Sequence, residues 1–146
     1  MKHLTYCDNL LKNKFTSWYQ LRQEVELSAD PFYLVSKFFN RLPRVKRYTD
    51  PYDQSTWPTP WELIDENEYC EFNIVLGICY TLQLTERFKN CRPTINLALD
   101  NFNKTVYYLL LIDDKVYGYS EEEWIGVLNL PKTLNIQKNY LMNPLH

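Results

Sequence analysis

The feature that most limits how this chain can fold is the run from Tyr69 to Leu84, whose only charged residue is Glu71. Apolar residues fall on nearly every face of the run, so it has no side to present to water. It is shorter than the ~20 apolar residues that a membrane-spanning helix needs. The run therefore predicts a helix buried at the centre of the protein. A buried strand pair is the alternative, because Ile, Val, Tyr and Thr also favour sheet.

Two helices are predicted in the N-terminal part of the chain. Over residues 10–27, apolar residues recur at helical spacing on one stripe, which Arg22 interrupts. The stripe consists of Leu11, Phe15, Trp18 and Val25. A second helix begins at Asp30 and Pro31, which are residue types that favour a helix N-cap and the first helical position. Pro43 ends it, because proline disfavours helix at the residue before it.

A proline-rich segment separates these helices from the central one. Residues 43–58 form a predicted loop that carries aromatic side chains, and Thr59 to Glu62 match a capping box with proline at the first helical position. The hydroxyl of Thr59 and the carboxylate of Glu62 would accept each other's backbone N–H. A short helix over 60–66 is therefore predicted.

After Pro93 the sequence pattern changes to the two-residue period of a half-buried strand. Three antiparallel strands are predicted, over 94–100, 105–112 and 116–119. Ser120 and Glu123 match a second capping box, which predicts a short helix through Ile125. The remaining tail is predicted to be irregular or briefly helical.

Helices followed by an antiparallel meander are typical of the α+β class. We predict N-terminal helices and a buried central helix packed on a small three-stranded antiparallel sheet. The length of 146 residues fits a single domain. Its predicted parts are a helical N-terminal part with the aromatic loop (1–58), a core of helix plus meander (59–126) and a tail (127–146).

Composition excludes several classes of function. The three glycines are too far apart for a phosphate-binding loop, and the only histidines, His3 and His146, lie at the chain ends. The four cysteines lack the CxxC spacing of a zinc site. We therefore expect no cofactor and no metal. A net charge of −2 directs the chain neither to nucleic acid nor to anionic lipid, and no membrane association is expected.

Cys70 is the only candidate nucleophile. It begins the predicted central helix, where the helix dipole favours a thiolate, although a buried cysteine can equally act as a small hydrophobe. A helix opened by cysteine and followed by three antiparallel strands resembles the core of transglutaminase-like cysteine peptidases. That resemblance implies a histidine on strand 105–112 and an aspartate on strand 116–119. This chain has neither, so the resemblance implies the scaffold without the chemistry.

Three segments carry a second resemblance: Trp57–Leu63, Tyr69–Cys70 and Tyr107–Asp114. They are similar to segments of small proteins of T4-like cyanobacterial tailed phages. The resemblance implies a phage origin and a role in a particle or its assembly. The expected location is then the cytoplasm of the host cell, or the virion.

A basic and aromatic cluster is the predicted partner-binding surface, because arginine, tyrosine and tryptophan are the residue types of interface hot spots. It comprises Arg41, Arg44, Lys46, Arg47, Tyr48, Tyr52, Trp57 and Trp61. Packing of the aromatic loop onto its own core is an alternative. The basic residues within 41–48 could also grip phosphates while a base stacks on Tyr48. Against this, cations at a helix C-terminus are explained by the helix dipole.

Acidic residues form two further groups. The capping box already explains Glu121 to Glu123, which could otherwise face a metal or a basic partner. In the other group, Glu68 and Glu71 share a helix face at helical spacing. Paired carboxylates catalyse glycoside hydrolysis only when a pocket orients the substrate between them, and the sequence indicates no such pocket. Asp65 and Glu66 complete that group.

The leading functional prediction is a non-enzymatic binding or structural protein that acts through protein–protein contacts. One alternative is a cysteine hydrolase or acyltransferase using Cys70, which would need His3 or His146 beside the thiol. A further alternative is a nucleic-acid-binding module that uses residues 41–48.

Overall fold

The computed structural model describes residues 6–45 and 49–145, with side chains from residue 13 onward. Within these ranges, helices precede strands, and the α+β prediction is confirmed. The helices are α1 Tyr6–Leu27, α2 Pro31–Asn40, α3 Pro60–Glu66 and α4 Glu71–Gln83. The strands are β1 Thr94–Asp100, β2 Val106–Ile112, β3 Lys115–Ser120, β4 Glu123–Gly126 and β5 Leu134–Leu141. Short 3-10 helices lie at Gln54–Thr56 and Val127–Asn129.

The predicted starts of α2 and α3 are confirmed, whereas α1 begins at Tyr6, earlier than the predicted residue 10. The Asp30 side chain accepts a hydrogen bond from the Tyr33 N–H at 3.2 Å, and Pro31 is the first residue of α2. At α3, the Glu62 carboxylate accepts from the Thr59 N–H at 2.9 Å and the Thr59 hydroxyl accepts from the Glu62 N–H at 3.3 Å. Both helices therefore begin where local side chains satisfy free backbone donors.

Helix α4 is the buried central helix that the apolar run from Tyr69 to Leu84 predicts. All of its residues after Glu71 are buried. Its backbone approaches α2 closely at Gly77, where an added Cβ would lie 2.5 Å from the Phe39 ring. Helix α1 is joined to it by the Trp18 indole, which donates to the Thr81 hydroxyl at 2.9 Å. The first, second and third helices thus enclose α4 on one side and the sheet covers the other.

The sheet has five strands in the order β4-β3-β2-β1-β5, all antiparallel to their neighbours, so the prediction of three strands is wrong. The predicted helix after Ser120 is instead a turn, with Glu122 in the left-handed region (φ 57), that leads into β4. Ile125 pairs with Val116 and the Trp124 indole donates to the Phe32 carbonyl at 2.9 Å. These tertiary contacts outweigh the local preference of the acidic capping sequence.

The tail, predicted to be irregular or briefly helical, has a short 3-10 helix at Val127–Asn129 followed by β5, which pairs with β1 along the far edge of the sheet. From residue 135 to 139 every side chain of β5 is exposed. An edge strand of this kind lacks the alternation of apolar and polar residues that the sequence pattern requires, so the pattern cannot show it. The backbone continues in register to Met142, whose N–H donates to the Pro93 carbonyl at 2.9 Å.

The two faces of the sheet differ in what covers them. Side chains from the inner face, such as Leu97 and Leu110, join the large core shared with the helices. The outer face has a smaller cluster of Ala98, Leu109 and Val116. No helix in the described part of the chain is both long enough and apolar enough to cross a membrane.

Candidate functional site

Three cavities are lined by residues from the start of α4. The tyrosine cleft, of about 420 Å³, includes Glu71, Ile74 and Val75. The cysteine pocket, of about 430 Å³, includes Cys70, and the acidic pocket, of about 510 Å³, includes Asn73. The first turns of α4 therefore border three of the cavities of the fold.

The tyrosine cleft exists because β2 and β3 part. Their pairing runs only from Ile112↔Lys115 to Leu110↔Tyr117, although β2 begins at Val106 and β3 continues to Ser120. The ends beyond the last pair line the cleft from both sides. Each of the two strands is also paired with a second strand, β2 with β1 and β3 with β4. The sheet therefore fixes the positions of the strands that frame this cavity.

Gly118 lies in β3 just beyond its last pair with β2. Its φ of +111 is a conformation that side chains with a Cβ rarely adopt. An added Cβ would collide with the Tyr108 carbonyl oxygen, so the β3 backbone runs close against β2 at this point. The pairing of β3 with β4 is irregular between Tyr117 and Ser120, as expected of a glycine bulge that re-aims the side chains that follow it.

Four tyrosines line the cleft: Tyr107, Tyr108, Tyr117 and Tyr119. The rings of Tyr107 and Tyr119 are 4.9 Å apart between centroids, and the Tyr117 hydroxyl donates to Asn40 Oδ1 at 2.7 Å. Burial raises the pKa of Tyr117, so its hydroxyl remains a proton donor at neutral pH. The cleft thus presents aromatic rings together with hydroxyl groups.

An ion pair joins the tyrosine cleft to the cysteine pocket. Arg44 Nε lies 2.8 Å from Glu71 Oε1, and another guanidinium nitrogen donates to the Leu42 carbonyl at 2.7 Å. Arg44, Glu71 and Tyr108 line both cavities. The two cavities therefore adjoin each other at this charged pair.

Cys70 is the N-cap of α4, as the sequence predicts, and its side chain makes no capping hydrogen bond. It is 8% exposed and lines the cysteine pocket. Among the described residues that line this pocket there is no histidine. The two histidines of the chain, His3 and His146, lie outside the described residues. Deeper in α4, burial raises the pKa of Cys79, which is the property of a core thiol.

The predicted partner-binding residues do not share one environment. Arg41 lies over the Phe38 ring, and Arg44 reaches the cleft. Their described aromatic companions lie elsewhere: Tyr52 bonds to Gln137 of β5, Trp57 packs on Phe72 and Tyr140, and Trp61 packs on Trp18. Tyr52 and Trp61 are 47% and 54% exposed, whereas Trp57 is half-buried. The other members, Lys46, Arg47 and Tyr48, lie outside the described residues.

The acidic residues also separate. Asp65 pairs with Lys14 and Glu71 with Arg44, while Glu66 and Glu68 line the acidic pocket. Glu121 and Glu122 line the tyrosine cleft. Within the described ranges, no three His, Cys, Asp or Glu side chains come close enough together to hold a metal ion.

Sequence reasoning missed the tyrosines of β2 and β3 as site residues. Their spacing identifies them only as strand residues, and nothing local shows that the two strands part. The available signal was Gly118, an isolated glycine within a predicted strand, which is typical of a bulge.

Comparisons with known proteins found no relative. No protein-family model, no curated protein and no solved structure matches this chain.

Proposed function

We propose that this protein is a non-enzymatic binding protein that acts through protein–protein contacts, with the tyrosine cleft as its partner-binding surface. The observation that carries the proposal is the parting of β2 and β3, which opens a cavity lined by four tyrosines. From the sequence resemblance, we further propose that the protein is phage-derived and acts in a particle or its assembly.

The chemistry of the lining favours a protein segment as the ligand. Tyrosine supplies a large, rigid contact area with a polar tip and loses little conformational entropy on binding. The Arg44–Glu71 pair adds donors and acceptors that can meet backbone or polar groups of a partner. Since the cleft adjoins the cysteine pocket, neighbouring side chains of one partner segment have two cavities to fill.

Selection of random peptides displayed on a carrier tests this proposal without knowledge of the natural partner. We expect enriched peptides that bind the wild-type protein saturably. Tyr119→Ala and Tyr107→Ala should each weaken them by about tenfold or more, the usual loss at an interface hot spot. Tyr19→Ala is the matched control, because Tyr19 is exposed on α1 and does not line the cleft.

Thermal unfolding of each variant separates lost binding from lost folding. Peptides that bind the cleft variants and the wild-type protein equally well would contradict the proposal, as would the absence of any enrichment.

A cysteine hydrolase or acyltransferase remains the second candidate, favoured by the position of Cys70 at the start of α4 beside a cavity. The rate at which an alkylating reagent modifies Cys70 near neutral pH tests this candidate. The Cys70→Ser variant is the control that shows which cysteine is labelled. Under the leading proposal Cys70 reacts slowly, because it is mostly buried. Rapid alkylation, together with ester or peptide hydrolysis that Cys70→Ser abolishes, would replace the leading proposal.

The nucleic-acid alternative depends on Arg41, Arg44 and residues 46–48. Arg44 is already engaged by Glu71, which lowers its availability for phosphate. A gel-shift series from low to high salt tests this alternative, since phosphate contacts weaken steeply with salt. We expect no retardation at low salt.

A further inference from the structure

The acidic pocket shares no lining residue with the tyrosine cleft. Four carboxylates line it: those of Asp50, Glu62, Glu66 and Glu68. No lysine or arginine is among the described residues of its lining. A concave surface that carries charge of one sign concentrates ions of the opposite sign. The pocket therefore attracts cations.

These carboxylates are not neutralised elsewhere in the described part of the chain. None of the ion pairs found there involves them. Hydrogen bonds from the backbone and side chain of Thr59 lower the pKa of Glu62, which keeps this carboxylate ionised. The Asp50 carboxylate accepts a hydrogen bond from the Tyr52 N–H at 2.9 Å, which leaves it charged.

A buried amide at the wall of the pocket is the second observation. Asn73 lies in the first turn of α4 and is only 6% exposed, yet it is one of the residues that line the pocket. Its Oδ1 has no hydrogen-bond partner. Buried carbonyl oxygens are almost always paired, so an unpaired one indicates a missing donor. Oδ1 is itself screened from solvent, so a ligand N–H reaches it when the terminal amide turns about its soft torsion toward the pocket.

The shape of the pocket favours an organic cation over a metal ion. No three acidic side chains of the described residues converge closely enough for a metal. The cavity, of about 510 Å³, instead spreads its carboxylates over a volume that a chain of several atoms can fill. Trp57 forms part of the wall, and tryptophan is the aromatic side chain that attracts cations most strongly.

We propose that the acidic pocket binds an organic cation through an alkylammonium or guanidinium group. The N–H groups of the ligand are held between Asn73 Oδ1 and the carboxylates of Glu66 and Glu68. The same chemistry is available from a free polyamine and from a lysine or arginine side chain of another protein. The proposal is independent of the tyrosine cleft.

Isothermal titration calorimetry at low ionic strength tests the proposal with two probes. One is spermidine, and the other is a short, terminally blocked peptide with a single arginine. We expect saturable binding of at least one probe with one site per chain, and little competition from MgCl₂ at matched ionic strength. Binding of spermidine alone would identify a polyamine site, and binding of the peptide alone would identify a site for a protein side chain.

Two variants test the proposed contacts. Asn73→Leu and the double variant Glu66→Gln/Glu68→Gln should each weaken the bound probe by about tenfold, because hydrogen bonds to charged groups are removed. The matched control is Glu24→Gln/Glu123→Gln, which removes the same net charge from exposed residues outside all three cavities. Thermal unfolding confirms that each variant folds. If Asn73→Leu does not fold, the double variant still tests the proposal, because Glu66 and Glu68 are exposed and their replacement leaves the core unchanged.

Failure of both probes to bind would overturn the proposal. So would an equal loss of affinity in the control variant, or full displacement by MgCl₂, because either result would show non-specific attraction to a negative surface.

Discussion

The two halves of α4 differ in what surrounds them. The three cavities reach the helix region only through residues 70–75, whereas Leu76 to Gln83 are enclosed by α1, α2 and the sheet. One half therefore lies within the closed core, and the other borders the cavities where we propose that ligands bind. The difference shows how a single apolar helix can do both: its enclosed half fixes the position of the half beside the cavities.

The largest effect is expected in the enclosed half. Ile78 is fully buried, so Ile78→Ala should lower the free energy of unfolding by about 3–4 kcal/mol through lost burial and a residual cavity. Urea unfolding measures it. Val106→Ala, at the cleft, is the comparison: Val106 is 42% exposed, and its truncation should cost less than about 1 kcal/mol. Similar losses for the two variants would remove the distinction between the halves.

Gly118→Ala tests how tightly the strands around the tyrosine cleft are packed. We expect a loss of about 2–3 kcal/mol, because alanine is strained at a φ of +111 and its Cβ would collide with the Tyr108 carbonyl. The measurement is urea unfolding together with peptide affinity. A neutral substitution would mean that the cleft is held by something other than this bulge.

Much of the helical part of the fold could be predicted from sequence, because its signals are local. Asp30 and Pro31 at α2, and the Thr59–Glu62 capping box at α3, act on backbone groups a few residues away. The strands β4 and β5 could not be predicted in this way. β4 depends on pairing with β3, and β5 depends on an edge of β1 that only the folded sheet provides.

The candidate site was predicted less well than the fold. The position of Cys70 followed from the length of the apolar run, but the cleft depends on where the pairing of two strands ends. Aromatic residues were expected to form a surface because they are close in sequence. Tyr52 instead bonds to β5, Trp57 packs between α4 and β5, and Trp61 packs on α1.

The loss of folding stability at alkaline pH compares a buried tyrosine in the enclosed half of α4 with a buried tyrosine at the cleft. Burial raises the pKa of Tyr80, in the enclosed half, and to a smaller extent that of Tyr117 at the cleft. A phenol with a raised folded-state pKa contributes stability that is complete below its unfolded pKa of about 10 and is lost as the pH rises above it. Tyr80→Phe should therefore reduce the loss of stability above pH 10 by about 1.4 kcal/mol per pH unit.

The control for this experiment is Thr81→Val, which removes the hydrogen bond from Trp18 and lowers stability without changing any phenol. It should shift the whole curve of stability against pH without altering its slope. An unchanged slope for Tyr80→Phe would contradict the assignment of Tyr80 to a buried, protonated state.

The smallest effect on stability is expected from the Arg44–Glu71 pair. Both side chains are partly exposed, so a double-mutant cycle with Arg44→Gln and Glu71→Gln should give a coupling energy below about 1 kcal/mol, reduced further by salt. The pair Glu86–Lys89, just beyond α4, should behave alike. Peptide affinity should separate the two pairs, because only Arg44 and Glu71 line the cleft. Loss of binding with almost no loss of stability would assign the Arg44–Glu71 pair to recognition, whereas equal behaviour of both pairs in binding would show that charge at the start of α4 plays no part in it.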